Sequence, residues 1–136
     1  SMGAYVAKKT VQLMAKLGKD ITKARVLVMG ATFKENVADI RNSKVADVVQ
    51  ELLNFSVQVD VIDPHADSEE LQHEYGFGLA EKPRGTYDAF VVAVNHRPYL
   101  AHDEAYFQSL ANGEAVLVDI KGIYRGKIRE MRYWSL

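Results

Sequence analysis

Apolar residues recur with helical spacing in two long segments of the chain. The first ends near Gly18, a residue suited to a helix C-terminus, and its stripe consists of Val6, Thr10, Leu13 and Leu17. The second has the clearer period and consists of Val45, Val48, Val49, Leu52 and Leu53. Asn42 or Ser43 is its predicted N-cap. Shorter helices are predicted for "SEELQHEYG", ending near Gly76, and for "DEAYFQSLA", closed by Asn112-Gly113.

Four other segments have the composition of β-strands. "RVLVM", "AFVVAVNH" and "AVLVDIK" are continuously apolar, which is typical of strands covered on both faces, whereas "VQVDVID" alternates before the turn at Asp63-Pro64. "FGLA" is a candidate short strand and "MRYWSL" a candidate edge strand. Apolar strands that alternate with helices predict an α/β fold with a doubly wound, mainly parallel, Rossmann-like sheet.

The predicted topology indicates where a ligand would bind. In doubly wound sheets, ligands bind outside the carboxyl ends of the strands, near the point where the strand order reverses. Four polar loops meet this rule, at residues 30–44, 63–66, 95–98 and 121–124. The loop at 30–44 is unusually long for a strand-to-helix connection and is rich in polar side chains.

Composition excludes several classes of protein. The 136 residues carry 17 basic and 18 acidic side chains, so the charge offers no general attraction to nucleic acid. Without cysteine, the chain has no thiol nucleophile, disulfide or thiolate metal site. No apolar run is long enough for a membrane span and no signal peptide is recognisable, so we expect a cytoplasmic protein that binds no membrane.

The long loop carries candidate anion ligands. Lys34 supplies a point charge and Arg41 a planar fork, and the start of the following helix offers free backbone N–H groups. These features suit a phosphate or pyrophosphate. Surface pairing of Lys34 and Arg41 with Glu35 and Asp39 explains the same residues equally well. Lys121, at the end of another strand, would add a second cation or be a lone surface lysine.

Other sites have weaker support. The first strand is followed by a single glycine, so neither the dinucleotide fingerprint nor a P-loop is present. Asp63 is in the place of a ribose-binding acid, but a turn-forming role is the first expectation. The histidines have no metal-binding spacing, so no metal site is predicted and solvated or capping roles are expected at His65, His73, His96 and His102.

Two stretches resemble a known family. "GATFKENVADIRNSKVADVVQEL", followed by "VQVDVIDPHAD", is similar to the C-terminal domain of UDP-glucose/GDP-mannose dehydrogenases, with a G-x-T-F-K-E-N-x-x-D-x-R-N-S-K signature. The resemblance continues through "LQHEYG", "VVAVNH", "VDIKG" and "YWSL". The chain looks most like the Vi-polysaccharide-type members, which act on UDP-N-acetylhexosamines.

The resemblance implies a part of a larger enzyme. Such enzymes oxidise a sugar C6 hydroxyl to a carboxylate in two NAD-dependent steps, through a catalytic cysteine, to make uronic acids for surface polysaccharides. The chain then comprises the end of a central connecting helix at residues 1–20 and a C-terminal UDP-sugar-binding domain at 21–136. The NAD-binding and central domains would be its partners in a homodimeric enzyme, and the chain alone would have no catalytic residue and no activity.

The resemblance also assigns individual residues. Phe33 and Lys34 match positions that hold UDP, Lys121 stands where glucose-specific members carry an arginine on the nucleotide, and Arg41 matches an arginine that reaches NAD. The alternative is a free-standing regulatory or small-nucleotide-binding module without catalysis. A phosphoacceptor module is disfavoured because Gly30-Ala31, rather than paired acids, follows the first strand.

Overall fold

A computed structural model describes residues 1–32 and 34–136 of the chain. Its helices and strands are, in chain order, α1 Met2–Lys16, β1 Arg25–Met29, α2 Val45–Asn54, β2 Gln58–Ile62, α3 Ser68–Tyr75, β3 Tyr87–Val92, α4 Glu104–Ser109, β4 Ala111–Asp119 and β5 Arg132–Ser135. Short 3-10 helices occupy Ile21–Lys23 and Arg97–Ala101. None of the helices in the described part is long and apolar enough to cross a membrane.

The five strands form one sheet in the order β2-β1-β3-β4-β5, and every neighbouring pair is parallel. This confirms the predicted α/β fold and the edge strand at the C-terminus. The chain leaves β1 toward β2 on one side and later returns to pair β3 on the other side. The order therefore reverses between β1 and β3, and the connections that leave these two strands go in opposite directions.

Helices cover both faces of the sheet, which explains the continuously apolar strands. Along β1, Val26 and Val28 pack into one core cluster with α1, α2 and α3, whereas Leu27 and Met29 pack into a second cluster with Phe107 of α4. Successive side chains of a strand point to opposite faces, so a strand with both faces covered must be apolar at every position.

Helix α1 packs into the same core as the sheet. Val6 and Met14 are buried in the first cluster, and α1 lies directly against α2. The helices approach so closely at Gly3 that a Cβ atom there would lie 2.5 Å from the Cβ of Asp47. The division of the chain near residue 20 into a connecting helix and a domain stays a prediction.

Three local predictions are wrong. Helix α2 has Lys44 as its N-cap with no side-chain hydrogen bond, because the Ser43 hydroxyl donates to the Ala31 carbonyl instead. Asn112-Gly113 lies within β4 rather than closing α4. The segment "FGLA" forms no strand; its contact with β2 includes the backbone hydrogen bond from Ala80 to Val61.

Candidate functional site

A crevice opens beyond the carboxyl ends of β1 and β3, where the connections that leave the two strands go to opposite sides of the sheet. Gly30 follows β1 with a φ of +98°, and a Cβ atom at this position would lie 2.7 Å from the Cβ of Val94. Only glycine allows the chain to turn away from β1 this close to the segment after β3. The conformation of Gly30 thus directs the 30–44 loop over the end of the sheet.

A cavity of about 340 Å³ lies in this crevice. Its apolar lining comes from α1, from α2 and from the segments that follow β3 and β4. It includes Val6, Val45, Val48, Ala93, Val94 and Ile120. Its charged lining consists of Lys34, Lys44, Lys121 and Glu35. The side chains of the lining carry three ammonium groups and one carboxylate, so the cavity suits a ligand with an apolar portion and an anionic portion.

Asp63, which follows β2, anchors the start of the loop. Its buried carboxylate accepts hydrogen bonds from the backbone N–H groups of Ala31, His65 and Ala66 at 2.6 to 2.8 Å, and it lies 2.9 Å from Nε2 of His96. Burial raises the pKa of Asp63, but the hydrogen bonds from His96 and from the three N–H groups lower the pKa by more than burial raises it. The net shift of the pKa is therefore downward. The turn-forming role predicted for Asp63 is confirmed, and the carboxylate also joins the ends of β1 and β3.

His96, which follows β3, is fully buried and contacts the loop at two points. Its Nδ1 accepts a hydrogen bond from the Asn36 N–H at 3.0 Å, and its Nε2 lies 3.1 Å from the Thr32 hydroxyl. Asn36 in turn accepts from the Arg97 N–H at 2.8 Å. The predicted solvated role is therefore wrong for His96; the residue is at the N-cap position of the 3-10 helix Arg97–Ala101, but its ring makes no capping hydrogen bond and is held by the loop instead.

The far end of the loop is anchored by α3. The Tyr75 hydroxyl donates to the Ile40 carbonyl at 2.6 Å and accepts from the Ser43 N–H at 3.4 Å. Ser43 is thereby tied to both Tyr75 and Ala31, which leaves the first turn of α2 without a side-chain cap beside the cavity. Free N–H groups and the helix dipole at that position favour an anion.

Arg41 lies on the exposed part of the same loop. Its guanidinium donates two hydrogen bonds to Asp39, at 2.9 and 3.0 Å, and its side chain is 85% exposed. The hydrogen bond from Arg41 lowers the pKa of Asp39 to about 2. Of the two readings left open by the sequence, surface pairing with Asp39 is the one the structure shows for Arg41.

Lys121 lies in the turn that follows β4. The fully buried carboxylate of Asp119 holds this turn by accepting from the N–H groups of Ile123 and Tyr124 and from the Tyr133 hydroxyl of β5. Burial, together with the hydrogen bond to Asp119, raises the pKa of Tyr133 to about 12, so this phenol stays a donor at neutral pH. Asp119 thus determines where the exposed Lys121 side chain begins.

The structure brings together two of the four predicted site residues. Lys34 and Lys121 line the same cavity, which Arg41 does not line. Phe33 lies outside the described residues. Sequence reasoning missed Lys44, Thr32 and His96. His96 could have been found, because it directly follows a continuously apolar strand within one of the four loops selected by topology.

A larger, open groove of about 650 Å³ lies at the other edge of the sheet. It is lined by residues at the beginning of β4 and β5, including Gly113, Glu114 and Arg132. Because parallel sheets bind ligands at the carboxyl edge, the smaller cavity is the candidate site despite its volume. In residues 1–32 and 34–136, no group of three or more His, Asp or Glu side chains is placed to hold a metal ion.

Solved structures share this fold. The chain superposes on an NDP-N-acetyl-D-galactosaminuronic acid dehydrogenase from Methanosarcina mazei with a TM-score of 0.84 at 21% identity, covering 98% of this chain and 29% of the other. A UDP-D-ManNAc dehydrogenase from Pyrococcus horikoshii gives 0.81 at 19% identity, with 98% and 30% covered. At this identity, the likeness shows a Rossmann-like α/β fold.

Sequence comparison identifies the family. The model of the UDP binding domain of the UDP-glucose/GDP-mannose dehydrogenase family matches residues 27–126, and the chain belongs to this family. It is 43% identical to a UDP-N-acetyl-D-glucosamine 6-dehydrogenase from Pseudomonas aeruginosa over 88% of the chain, and 36% identical to one from Salmonella typhi over 97%. The chain spans 29% and 31% of the length of these relatives.

Proposed function

We propose that this chain is the nucleotide-sugar-binding domain of an NAD-dependent dehydrogenase. Its substrate would be a UDP-N-acetylhexosamine, oxidised at C6 to a uronic acid. The observation that carries the proposal is the cavity at the strand-order reversal, which is lined by Lys34, Lys44 and Lys121 together with apolar side chains. The two relatives named UDP-N-acetyl-D-glucosamine 6-dehydrogenases support the choice of sugar.

The cavity has the chemistry that a nucleoside diphosphate needs. A pyrophosphate carries several negative charges on oxygens that accept hydrogen bonds, and ammonium groups with an uncapped helix N-terminus supply cations and donors together. The apolar lining suits the flat base or the sugar ring, which lose water contacts on binding. In this proposal Lys34 and Lys121 hold the diphosphate, and Phe33 contributes to the same site.

NAD, which accepts the hydride in this chemistry, would be held mainly by another domain. The described residues fit that arrangement, because the exposed Arg41 offers a single cationic contact at the surface rather than a cofactor pocket. The Asp39 carboxylate accepts two hydrogen bonds from the Arg41 guanidinium. Arg41 would thus present a charge toward a cofactor across an interdomain cleft.

Titration calorimetry of the chain with UDP tests the proposal. We expect saturable binding of UDP and much weaker binding of uridine, because the lysines act on the phosphates. The same chain with NAD and UDP-N-acetylglucosamine should produce no NADH absorbance, because hydride transfer needs the NAD-binding domain and the covalent step needs a thiol, which this chain does not contain. Equal affinity for UDP and uridine would contradict the proposed site. NADH formation would contradict the proposal that another domain holds NAD.

Arg41→Ala in the full-length enzyme should weaken NAD binding more than UDP-sugar binding. We expect a loss of about five- to tenfold for NAD, the size of one exposed charge-assisted contact, and little change for the UDP-sugar. Arg132→Ala, which removes an exposed arginine at the opposite edge of the sheet, is the matched control. An equal loss for both ligands in Arg41→Ala would assign this side chain to the nucleotide-sugar site instead.

A further inference from the structure

The buried ring of His96 has one tautomer that satisfies all its contacts. Nδ1 faces the backbone N–H of Asn36 at 3.0 Å, and an N–H group can only donate, so Nδ1 is the unprotonated acceptor. The ring proton is therefore on Nε2, which faces the Asp63 carboxylate at 2.9 Å and the Thr32 hydroxyl at 3.1 Å. His96 is thus a donor on one side and an acceptor on the other.

These two contacts lie on either side of Lys34 along the chain. The Thr32 hydroxyl, which faces Nε2, donates its own proton to the Lys34 carbonyl at 2.8 Å. Asn36, which donates to Nδ1, has a φ of 60°, a left-handed conformation that requires support from its surroundings. His96 therefore contacts the chain both before and after Lys34, although the His96 side chain does not line the cavity.

We propose that His96 is a positioning residue for the nucleotide-sugar site, which fixes the chain at Thr32 and at Asn36, on either side of Lys34, so that the Lys34 ammonium faces the diphosphate. This proposal rests on the proposed function. A flexible lysine on an unsupported turn would lose conformational entropy on binding, whereas a held turn has lost its backbone entropy during folding. Asp63 completes the arrangement by orienting the His96 ring.

Two substitutions separate the contacts of His96. In His96→Asn the carboxamide oxygen is as many bonds from Cβ as Nδ1, so it can still accept from the Asn36 N–H. In His96→Gln the longer side chain can place its amide nitrogen where Nε2 was, facing Asp63, but the acceptor for Asn36 is lost. Both variants remove the ring from the core, so a similar fall in melting temperature is expected for both.

UDP titration and hydrogen exchange of the Asn36 amide then test the proposal. We expect His96→Gln to weaken UDP binding about tenfold and His96→Asn no more than about threefold, at a temperature where both variants are folded. The Asn36 amide should exchange faster in His96→Gln than in His96→Asn. His102→Asn is the control, because His102 stacks on Tyr106 and does not line the cavity, so UDP affinity should be unchanged.

The outcomes distinguish this inference from the proposed function. Equal UDP affinity in His96→Asn and His96→Gln, with equal exchange at Asn36, would reduce His96 to a packing role and overturn the inference while leaving the UDP site intact. If the unmodified chain bound no UDP, the proposed function would fail. A slow Asn36 amide that His96→Gln accelerates would even then support His96 as the residue that holds the turn.

Discussion

Asp63→Ala is expected to lower the free energy of unfolding by about 3 to 5 kcal/mol, the cost of breaking a buried charged hydrogen-bond network. The carboxylate accepts from three backbone N–H groups and from His96, and its side chain is fully buried. Alanine would leave these donors without a partner, and a buried unsatisfied donor costs more than the bond it replaces. Urea unfolding of the chain and of the variant measures the difference.

Asp63→Asn is the graded control for this experiment. Its single carbonyl oxygen can still accept from the His65 and Ala66 N–H groups, but its amide nitrogen would face the Ala31 N–H and His96 Nε2, donor against donor. We therefore expect a smaller loss than in Asp63→Ala, of about 2 kcal/mol. If the urea midpoint of Asp63→Ala equalled that of the unmodified chain within error, solvent would be satisfying the donors that Asp63 otherwise accepts from.

The difference in free energy of unfolding between the chain and Asp63→Ala should depend on pH, which provides an independent check. The pKa of Asp63 is lowered by folding from its ordinary value of 3.8, so the carboxylate stabilises the chain above about pH 4. This contribution is lost as the pH falls through the lower pKa of the folded state. The gap in stability between the chain and Asp63→Ala should hence narrow below pH 4. A constant gap would mean that the charge of Asp63 contributes nothing.

Lys34→Ala is expected to weaken UDP binding about ten- to a hundredfold, the effect of losing one charge-assisted contact to phosphate. Lys34 is exposed on the loop and lines the cavity with Lys44 and Lys121, near the uncapped start of α2. Lys34→Arg should recover only part of the affinity, because a planar guanidinium differs in size and hydration from an ammonium. Calorimetric titration of UDP into each variant gives the affinities.

Lys23→Ala is the matched control for Lys34→Ala. It removes the same charge from an exposed position that precedes β1 and so lies at the opposite edge of the sheet. Both variants should melt at the temperature of the unmodified chain, since neither side chain supports the core. If Lys34→Ala and Lys23→Ala bound UDP equally well, the loop would be holding something other than a nucleotide.

The sequence predicted the fold more completely than the local ends of its elements. Continuous apolar strands indicated a parallel sheet because both faces must be covered, and that requirement leaves a strong pattern. The N-cap of α2 was missed because Ser43 has the chemistry of a cap but is used by Ala31, a contact that depends on the folded loop. Asn112-Gly113 reads as a helix end, yet it lies in β4 where the register shifts against β3.

The candidate site was predictable only in part. Lys34 and Lys121 follow strands of a parallel sheet, so their meeting at one edge follows from topology. His96 was not recognised, because its partners Asp63, Thr32 and Asn36 are 33 to 64 positions earlier in the chain, too far for any local spacing to indicate the contacts. Arg41 and Asp39 are two residues apart, so both the ion pair and a free arginine were compatible with the sequence.

The strand order also determines when the site can exist during folding. Asp63 reaches Ala31 within the unit formed by β1, α2 and β2, so this first anchor of the loop needs only contacts 32 positions apart. His96 lies beyond β3, and its contact with Thr32 closes 64 positions of chain. Since closing the longer segment costs more entropy, we expect the contacts of His96 on either side of Lys34 to form after the Asp63 anchor, together with the pairing of β1 and β3. A partly folded chain with only the first unit formed would have the loop but no binding site.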